Sequence, residues 1–222
     1  MSAISPTLEL ERRLLEEFPF VIGLDEVGRG ALAGPVTVGA SIIDADVARG
    51  EVPDGLRDSK LVSEKRRPEV AERTAAWVRG TALGWATPGE VDERGILGAL
   101  GLAALRAIIG LREQGFPVES AVHLLDGDRD YLSRVAFDQL GRLDVRTVVK
   151  GDRDRAAISA ASIAAKVARD ALMVGLHEGF EAYAWDRNKG YASAAHREAI
   201  RAHGLTAHHR QSWAIAPAPP LF

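Results

Sequence analysis

The sequence predicts an α/β fold, with a mixed five-stranded sheet flanked by helices and a C-terminal helical extension. Three observations carry this expectation. Three β-rich apolar runs come early, and from residue 87 onward helical stretches alternate with two further runs, the order of a sheet covered by helices. The 222 residues, 46% apolar and 27% charged, are enough to bury a core and exclude disordered and collagen-like chains. Acidic residues stand where the apolar runs stop, which is where open α/β sheets hold ligands.

The elements follow in order. Residues 1–17 form an N-terminal helical segment. The run 21–24 reads as a buried strand that meets Asp25-Glu26 and then the turn-rich Gly28-Arg29-Gly30 and Gly34-Pro35. Residues 35–43 offer Val36, Val38, Ile42 and Ile43 as a second strand, and 81–86 a third. Between them a helix spans 63–78, with Ser63 as N-cap and Val70, Ala71, Thr74 and Trp77 or Val78 on one face. Thr87-Pro88-Gly89-Glu90 is a capping box with Pro at the first helical position, and it opens a helix to about Arg112. Residues 122–125 and 145–149 supply the fourth and fifth strands, ending at Asp126-Gly127 and at Lys150-Gly151-Asp152. A long helix, 155–178, begins with Ser159, Ala160, Ala161, Ser162, Ala164 and Ala165, small residues that permit close approach to the sheet. A shorter helix, 193–203, and a Pro-rich tail complete the chain. No repeat or interdomain linker is found. The main domain is expected at 18–178, the extension at 179–215 and a disordered tail at 216–222.

The absence of cysteine excludes disulfide frameworks, thiolate zinc sites, iron–sulfur clusters and cysteine nucleophiles, and fits a cytoplasmic location. No membrane span is expected, because the longest charge-free runs, 31–43 and 96–105, are Gly/Pro-broken or shorter than the roughly 20 residues needed. Residues 8–17 carry four Glu and two Arg where a signal peptide would be apolar. The net charge of −3 hides a separation: residues 141–222 hold 12 Lys+Arg against 8 Asp+Glu, and residues 1–140 hold 16 against 23. That split is compatible with a metal-dependent enzyme acting on nucleic acid, and equally with two solvated surfaces of unlike charge.

Asp25, Glu26, Asp126 and Asp152 are the candidate site. Clustered carboxylates with no cysteine favour Mg²⁺ or Mn²⁺ over zinc, while turn formation and helix capping are the alternative. Adjacent strand residues point to opposite faces, so Asp25 and Glu26 meet one site only if the backbone turns; Gly28 and Gly30 allow such a turn, with Glu26 already outside the strand. A P-loop is excluded, since no Gly-x-x-x-x-Gly-Lys-Ser/Thr occurs. Gly28-Arg29-Gly30 makes a weak dinucleotide fingerprint, because the segment after it reads as a strand. Asp170 lies 18 residues beyond Asp152, about 27 Å along a straight helix, and is expected in a salt bridge. Asp128, Asp130 and Asp154 are read as caps or solvated groups, His196, His203, His208 and His209 as surface or phosphate-contacting groups, and Trp77 and Trp85 as core.

Asp25-Glu26-Val27-Gly28-Arg29-Gly30 followed by Ala33-Gly34-Pro35 resembles the signature of ribonuclease HII, the bacterial type 2 ribonuclease H. Further motifs come in that family's order. They are Asp58-Ser59-Lys60 with Ser63-Glu64-Lys65, then Leu125-Asp126-Gly127, then Lys150-Gly151-Asp152 with Ser159-Ala160-Ala161-Ser162-Ile163, Ala165-Lys166-Val167 and Arg169-Asp170. Lys189-Gly190-Tyr191, His196 and His209-Arg210 close the series, so the likeness spans residues 21–213. The resemblance implies a ribonuclease H-like fold and a divalent-metal endonuclease. Such an enzyme cuts the RNA strand of RNA/DNA hybrids and incises duplex DNA 5′ to embedded ribonucleotides, leaving 3′-OH and 5′-phosphate ends. It makes Asp25, Glu26, Asp126 and Asp152 the catalytic, metal-binding set, Gly28, Arg29 and Gly30 the reader of the ribose 2′-OH, and Tyr191 the residue stacked at the RNA–DNA junction. Lys60, Lys166 and Lys189 are expected to approach phosphates. Leu61 and Asn188 depart from the family's pattern, where a second Lys and a His are common, which weakens the expected phosphate grip near Lys60. A monomer is expected, and Leu221-Phe222 resembles the short apolar peptides that dock on sliding clamps. The rival readings are a noncatalytic nucleic-acid binding module and a metal nuclease that resolves DNA junctions.

Overall fold

In the computed structural model, which describes residues 5–213, the strands are β1 (Val21–Val27), β2 (Val36–Ile43), β3 (Gly80–Ala86), β4 (Val122–Asp126) and β5 (Asp144–Val148). They form one sheet in the order β3-β2-β1-β4-β5, antiparallel among the first three and parallel from β1 to β5. The mixed sheet expected from the sequence is therefore present. The helices are α1 (Glu9–Leu14), α2 (Ala45–Arg49), α3 (Arg67–Trp77), α4 (Pro88–Glu113), α5 (Ser133–Leu140), α6 (Gly151–Asp154), α7 (Ala156–His177), α8 (Trp185–Asn188) and α9 (Ala194–His203).

Alternation along the strands decides which side chain meets which helix. Ile22 and Leu24 of β1 and Leu125 of β4 join a core with Ala99, Leu100, Ala103 and Ile108 of α4. Val21, Val122 and Leu124 point the other way and pack with Ala157, Ile158 and Ile163 of α7. Backbone meets backbone there: a Cβ on Gly23 would land on the carbonyl of Ala157, and one on Gly39 on that of Ala161. The small-residue half of α7 thus lies directly on the sheet, as its composition predicts.

α4 shows the expected capping box, with Thr87 accepting from the Glu90 amide and the Glu90 carboxylate accepting from the Thr87 amide. Among the described residues it is the one helix long and apolar enough to cross a membrane. Its buried side chains are spent on the sheet, and Gly95, at φ 69°, breaks its helical path. The N-terminal segment docks on the start of α7, where buried Glu11 accepts the Ala157 amide at 3.0 Å. The extension packs through Tyr183, Trp185, Ala199 and Ile200 against Met173 of α7 and Ala33.

Several expectations are corrected. β1 continues through Val27, paired with Thr37 of β2, so Glu26 lies inside the strand. Asp152 sits in α6, after Lys150 turns the chain at φ 60°, and not at a strand end. Ser63 opens a 3-10 turn, Glu64–Arg66, without capping it by its side chain, and α3 starts only at Arg67 with Pro68 in its first turn. Short α2 and α5, unexpected from periodicity, are set by local caps: Asp44 accepts the Val47 amide, and Asp130 accepts those of Leu132 and Ser133. Trp77 and Trp85 are half-buried; the fully buried tryptophan is Trp185. The Pro-rich tail lies outside the described residues.

Gly23→Ala should cost about 1–3 kcal/mol, because its methyl meets helix backbone that cannot rotate away. Gly30→Ala, where nothing lies within 4 Å of the new methyl, should stay within about 0.5 kcal/mol. Urea unfolding of both variants checks this.

Candidate active site

The parallel register of β1 and β4 pairs Gly23 with Leu124, so Asp25 and Asp126, each two residues further, come side by side on the α7 face. Glu26 leaves the opposite face of β1 but lines the same groove as Asp25 near the end of the strand, held by two donors, the Tyr131 hydroxyl at 3.1 Å and the Arg29 guanidinium at 3.2 Å. α6 brings Asp152 against β4, where its amide donates to Asp126 Oδ1 at 3.1 Å. Gly151 makes that approach possible, since a Cβ there would strike Ile158 and crowd Asp126. Ser159 Oγ donates to the Asp152 carbonyl at 2.7 Å and fixes the turn from below.

These carboxylates feel one another. Burial, then the charges of Asp126 and Glu26, push the Asp25 pKa well above the usual carboxylate range. Burial and the charge of Asp152 raise Asp126 to about 6. Tyr131 is driven far above its ordinary value by burial and by Glu26, so its hydroxyl keeps the proton it donates. Lys60 Nζ answers the accumulated charge from one side, 3.2 Å from Asp152 Oδ2. Among the described residues no three His, Asp or Glu groups are gathered tightly enough to hold a metal ion by themselves. The donor set nevertheless suits a hard divalent cation: every donor is a carboxylate oxygen, and several of them crowd one end of the sheet.

A groove of about 430 Å³ adjoins this cluster, lined by Asp25, Glu26, the Gly28-Arg29-Gly30 loop, Ser59, Lys60, Ser162, Lys166 and Tyr191. A larger hollow of about 680 Å³ near Phe137 and Arg142 holds none of these groups. Gly28, at φ 85°, must be glycine, because a Cβ would enter the Arg169 guanidinium. Its amide donates to Tyr191 Oη at 3.1 Å, tying the loop to the extension. Arg169 in turn stacks on the Tyr191 ring with 5.4 Å to the centroid and donates to the carbonyls of Pro35, Lys189 and Ala33.

Lys189 departs from its expected place. It is buried, and its ammonium contacts Glu64 at 2.9 Å and the Asp186 carbonyl, away from the groove. Asn188, the departure from the family's pattern beside it, bonds the Tyr183 carbonyl and the Gly190 amide and shapes the turn into Tyr191. Asp170 makes the expected salt bridges, to Lys166 at 2.5 Å and Arg67 at 3.5 Å. His196 and His209, expected at the surface, are fully buried, with their Nε2 atoms 3.1 Å apart. His196 Nδ1 faces the Tyr191 carbonyl at 2.9 Å and so carries the hydrogen, which leaves its Nε2 to accept from Trp185 Nε1. Burial lowers the pKa of both, that of His209 to about 4, and keeps the pair neutral at physiological pH. Tyr131 was missed in the sequence, where an isolated tyrosine past an Asp-rich loop carries no signal of a hydrogen bond to Glu26.

The chain matches the family model described as Ribonuclease HII over residues 22–216. A relative named Ribonuclease HII from Streptomyces griseus is 43% identical over 217 residues, covering 96% of this chain and 85% of that protein. Two solved structures share the fold. The ribonuclease H2 from Pyrococcus horikoshii superposes with a TM-score of 0.69 at 25% identity, covering 88% of this chain and 94% of that one. A chain of the PCNA:RNase HII complex from Archaeoglobus fulgidus gives 0.68 at 28%, covering 87% and 95%.

Asp126→Asn should raise thermal stability in chelator at pH 7.5. The folded pKa of about 6 stands above the ordinary 3.8, so the cost of ionised Asp126 is full above pH 6 and disappears as pH falls. The gain, about 2–4 °C for each kcal/mol of repulsion relieved, should shrink toward zero by pH 4. Thermal scans of both proteins across that range, without divalent metal, measure it.

Proposed function

The chain belongs to the ribonuclease HII family, enzymes that hydrolyse the RNA of RNA/DNA hybrids, and from that premise we propose that it also incises duplex DNA on the 5′ side of an embedded ribonucleotide, leaving 3′-OH and 5′-phosphate ends. The observation that carries this reading is the hydrogen bond from the Gly28 amide to Tyr191 Oη. It couples the loop that touches a ribose to the aromatic residue at the junction, three residues or fewer from Asp25 and Glu26 in β1.

Asp25, Glu26, Asp126 and Asp152 would hold Mg²⁺ or Mn²⁺. When bound, a pair of such ions supplies water activation and charge stabilisation for an in-line displacement at phosphorus. The chain's own groups do the rest. Tyr131 and Arg29 hold Glu26 in place, and the Asp152 amide orients Asp126. Lys60 offers its ammonium group at the rim, Lys166 lines the groove with its ammonium held by Asp170, and Arg29, exposed at the loop tip, reaches a neighbouring phosphate. Gly30 has no side chain and open space around it, so a sugar can approach its backbone. The Gly28 amide is already engaged by Tyr191, and reading the 2′-OH therefore falls to the remaining backbone groups of the loop. The Tyr191 ring, backed by Arg169, meets the adjoining nucleotide. A monomer in the cytoplasm is the proposed form. Sliding-clamp contact through Leu221-Phe222, suggested also by the archaeal relative solved with PCNA, concerns residues outside those described.

The test is a duplex DNA carrying one ribonucleotide, compared with an RNA/DNA hybrid and an all-DNA duplex, in Mg²⁺, Mn²⁺ and chelator. The protein should cut 5′ to the ribonucleotide and within the hybrid with either metal, and nothing in chelator. Failure to cut the single-ribonucleotide duplex overturns the proposal. Tyr191→Ala should lose more activity on that duplex than on the hybrid, because only the former presents a junction at every cut; equal losses would make Tyr191 a packing residue.

Substrate affinity should fall steeply with salt. Lys60→Ala and Lys166→Ala should each lower the log–log slope by about 0.9, one phosphate contact apiece. Lys189→Ala, whose ammonium is buried against Glu64, should leave the slope unchanged while lowering stability.

A further inference from the structure

Arg210 is fully buried near the end of the described chain, and among the described residues no carboxylate lies within salt-bridge distance of it. Its guanidinium is spent on backbone instead. Nη1 donates to the Arg29 carbonyl at 2.7 Å, and Nη2 to the carbonyls of Gly28 at 2.5 Å and Gly34 at 3.4 Å. The Trp213 ring covers it, 4.6 Å from centroid to guanidinium carbon. Burial beside Arg169 lowers its pKa to about 10, which leaves it charged at neutral pH. A buried cation without a counter-ion is costly unless its donors are used; here both Nη groups converge on one loop, while Nε is buried without an acceptor among the described residues.

The peptide units it grips are the informative ones. The Gly28 carbonyl belongs to the same peptide as the Arg29 amide, and the Arg29 carbonyl to the same peptide as the Gly30 amide. Among the described residues neither of these N–H groups finds an acceptor, and both residues are exposed in the groove. A charged donor on the carbonyl side polarises the amide on the other side and fixes its direction. The segment carrying Arg210 is itself strapped down. The Arg210 amide donates to the Leu32 carbonyl at 3.0 Å, the Gly34 amide to the His208 carbonyl at 2.8 Å, and the Asp92 carboxylate accepts the amides of Gln211 and Ser212 at 2.8 and 2.9 Å.

We propose that Arg210 is a positioning residue for ribonucleotide discrimination, its guanidinium fork holding the Gly28-Arg29-Gly30 loop so that the Arg29 and Gly30 amides stay presented to the substrate. This rests on the loop's role in the proposed function. It requires the planar fork: a lysine keeps the charge but cannot hold two carbonyls at set angles.

The test compares wild type, Arg210→Lys and Asp92→Ala by steady-state cleavage of a duplex with one ribonucleotide, binding to the all-DNA duplex of the same sequence, and thermal unfolding. Arg210→Lys should lower kcat by about tenfold to a hundredfold, with KM and all-DNA affinity near wild type. Asp92→Ala, which releases the far end of the strap at an exposed site, should fold normally and show a smaller kcat loss, about threefold to tenfold. Near-wild-type kcat in Arg210→Lys, or an equal loss of all-DNA affinity, overturns the inference. Should Arg210→Lys fail to fold, Asp92→Ala decides, and unchanged kcat there overturns it. If wild type itself leaves the ribonucleotide uncut, the proposed function fails and not this inference alone.

Discussion

The contact on which the rest of the structure depends is the backbone-to-backbone seat of α7 on β1 and β2, at Gly23 against Ala157 and Gly39 against Ala161. With no side chains between them, helix and sheet have one available separation and little freedom to slide. Five side chains that support the site are then spaced along α7 at helical intervals. Ser159 holds the Asp152 carbonyl, Ser162 bonds Ser59 beside Asp25, Lys166 reaches the groove, Arg169 grips three loop carbonyls, and Met173 enters the core of the extension. One helix at a fixed height sets the carboxylates and the substrate loop relative to each other.

Charge is sorted along the same axis. Asp25, Glu26, Asp126 and Asp152 gather where β1, β4 and α6 meet, whereas the buried guanidinium groups of Arg169 and Arg210 lie beneath the Gly28-Arg29-Gly30 loop and bond only carbonyls. The two sets do not neutralise each other by direct pairing, which leaves both poised toward the groove. The charge split in the sequence is thus partly a property of the site and not just of solvated surfaces. Asp25, Glu26 and Asp126 come from the acidic part, and Lys166, Arg169 and Arg210 from the basic one, with Asp152, Arg29 and Lys60 the exceptions.

What the sequence made legible was local. Strand runs, the Thr87 capping box and the small-residue half of α7 depend on neighbours a few residues away, and all three stand in the structure. Glu26 was misplaced because the end of β1 is set by pairing with Thr37 in β2, a partner that periodicity in 21–24 cannot see. Asp152 was misplaced because the left-handed turn at Lys150 falls on a residue type that gives no warning of it. His196 and His209 read as surface or phosphate-contacting groups, and Lys189 as a phosphate contact, because polarity alone says nothing about an extension folding back; burial there follows from Trp185 and Tyr183 packing on Met173. The four carboxylates were identified by their position after apolar runs and by the resemblance together, and neither route revealed Tyr131 or the grip of Arg210.

Continuity of β1 gives the proposed discrimination its physical form. Asp25 and Glu26 lie in the strand, Gly28 follows its last residue, and Tyr191 is bonded to that glycine, so the ribose-facing amides and the carboxylates share one short, sheet-anchored segment of chain. A deoxyribose offers the loop no hydroxyl to bond, and the unmatched polar groups cost about 1–3 kcal/mol each when buried by substrate. The larger consequence is geometric. A sugar that does not seat on the loop places its phosphate wrongly against carboxylates only a few residues away, and misplacement by about 1 Å is enough to lose a hundredfold in rate. Selectivity built this way acts in turnover and leaves the salt-dependent grip on duplex nearly blind to the ribonucleotide, which lets such an enzyme bind plain DNA while searching it and cut only where the loop is satisfied.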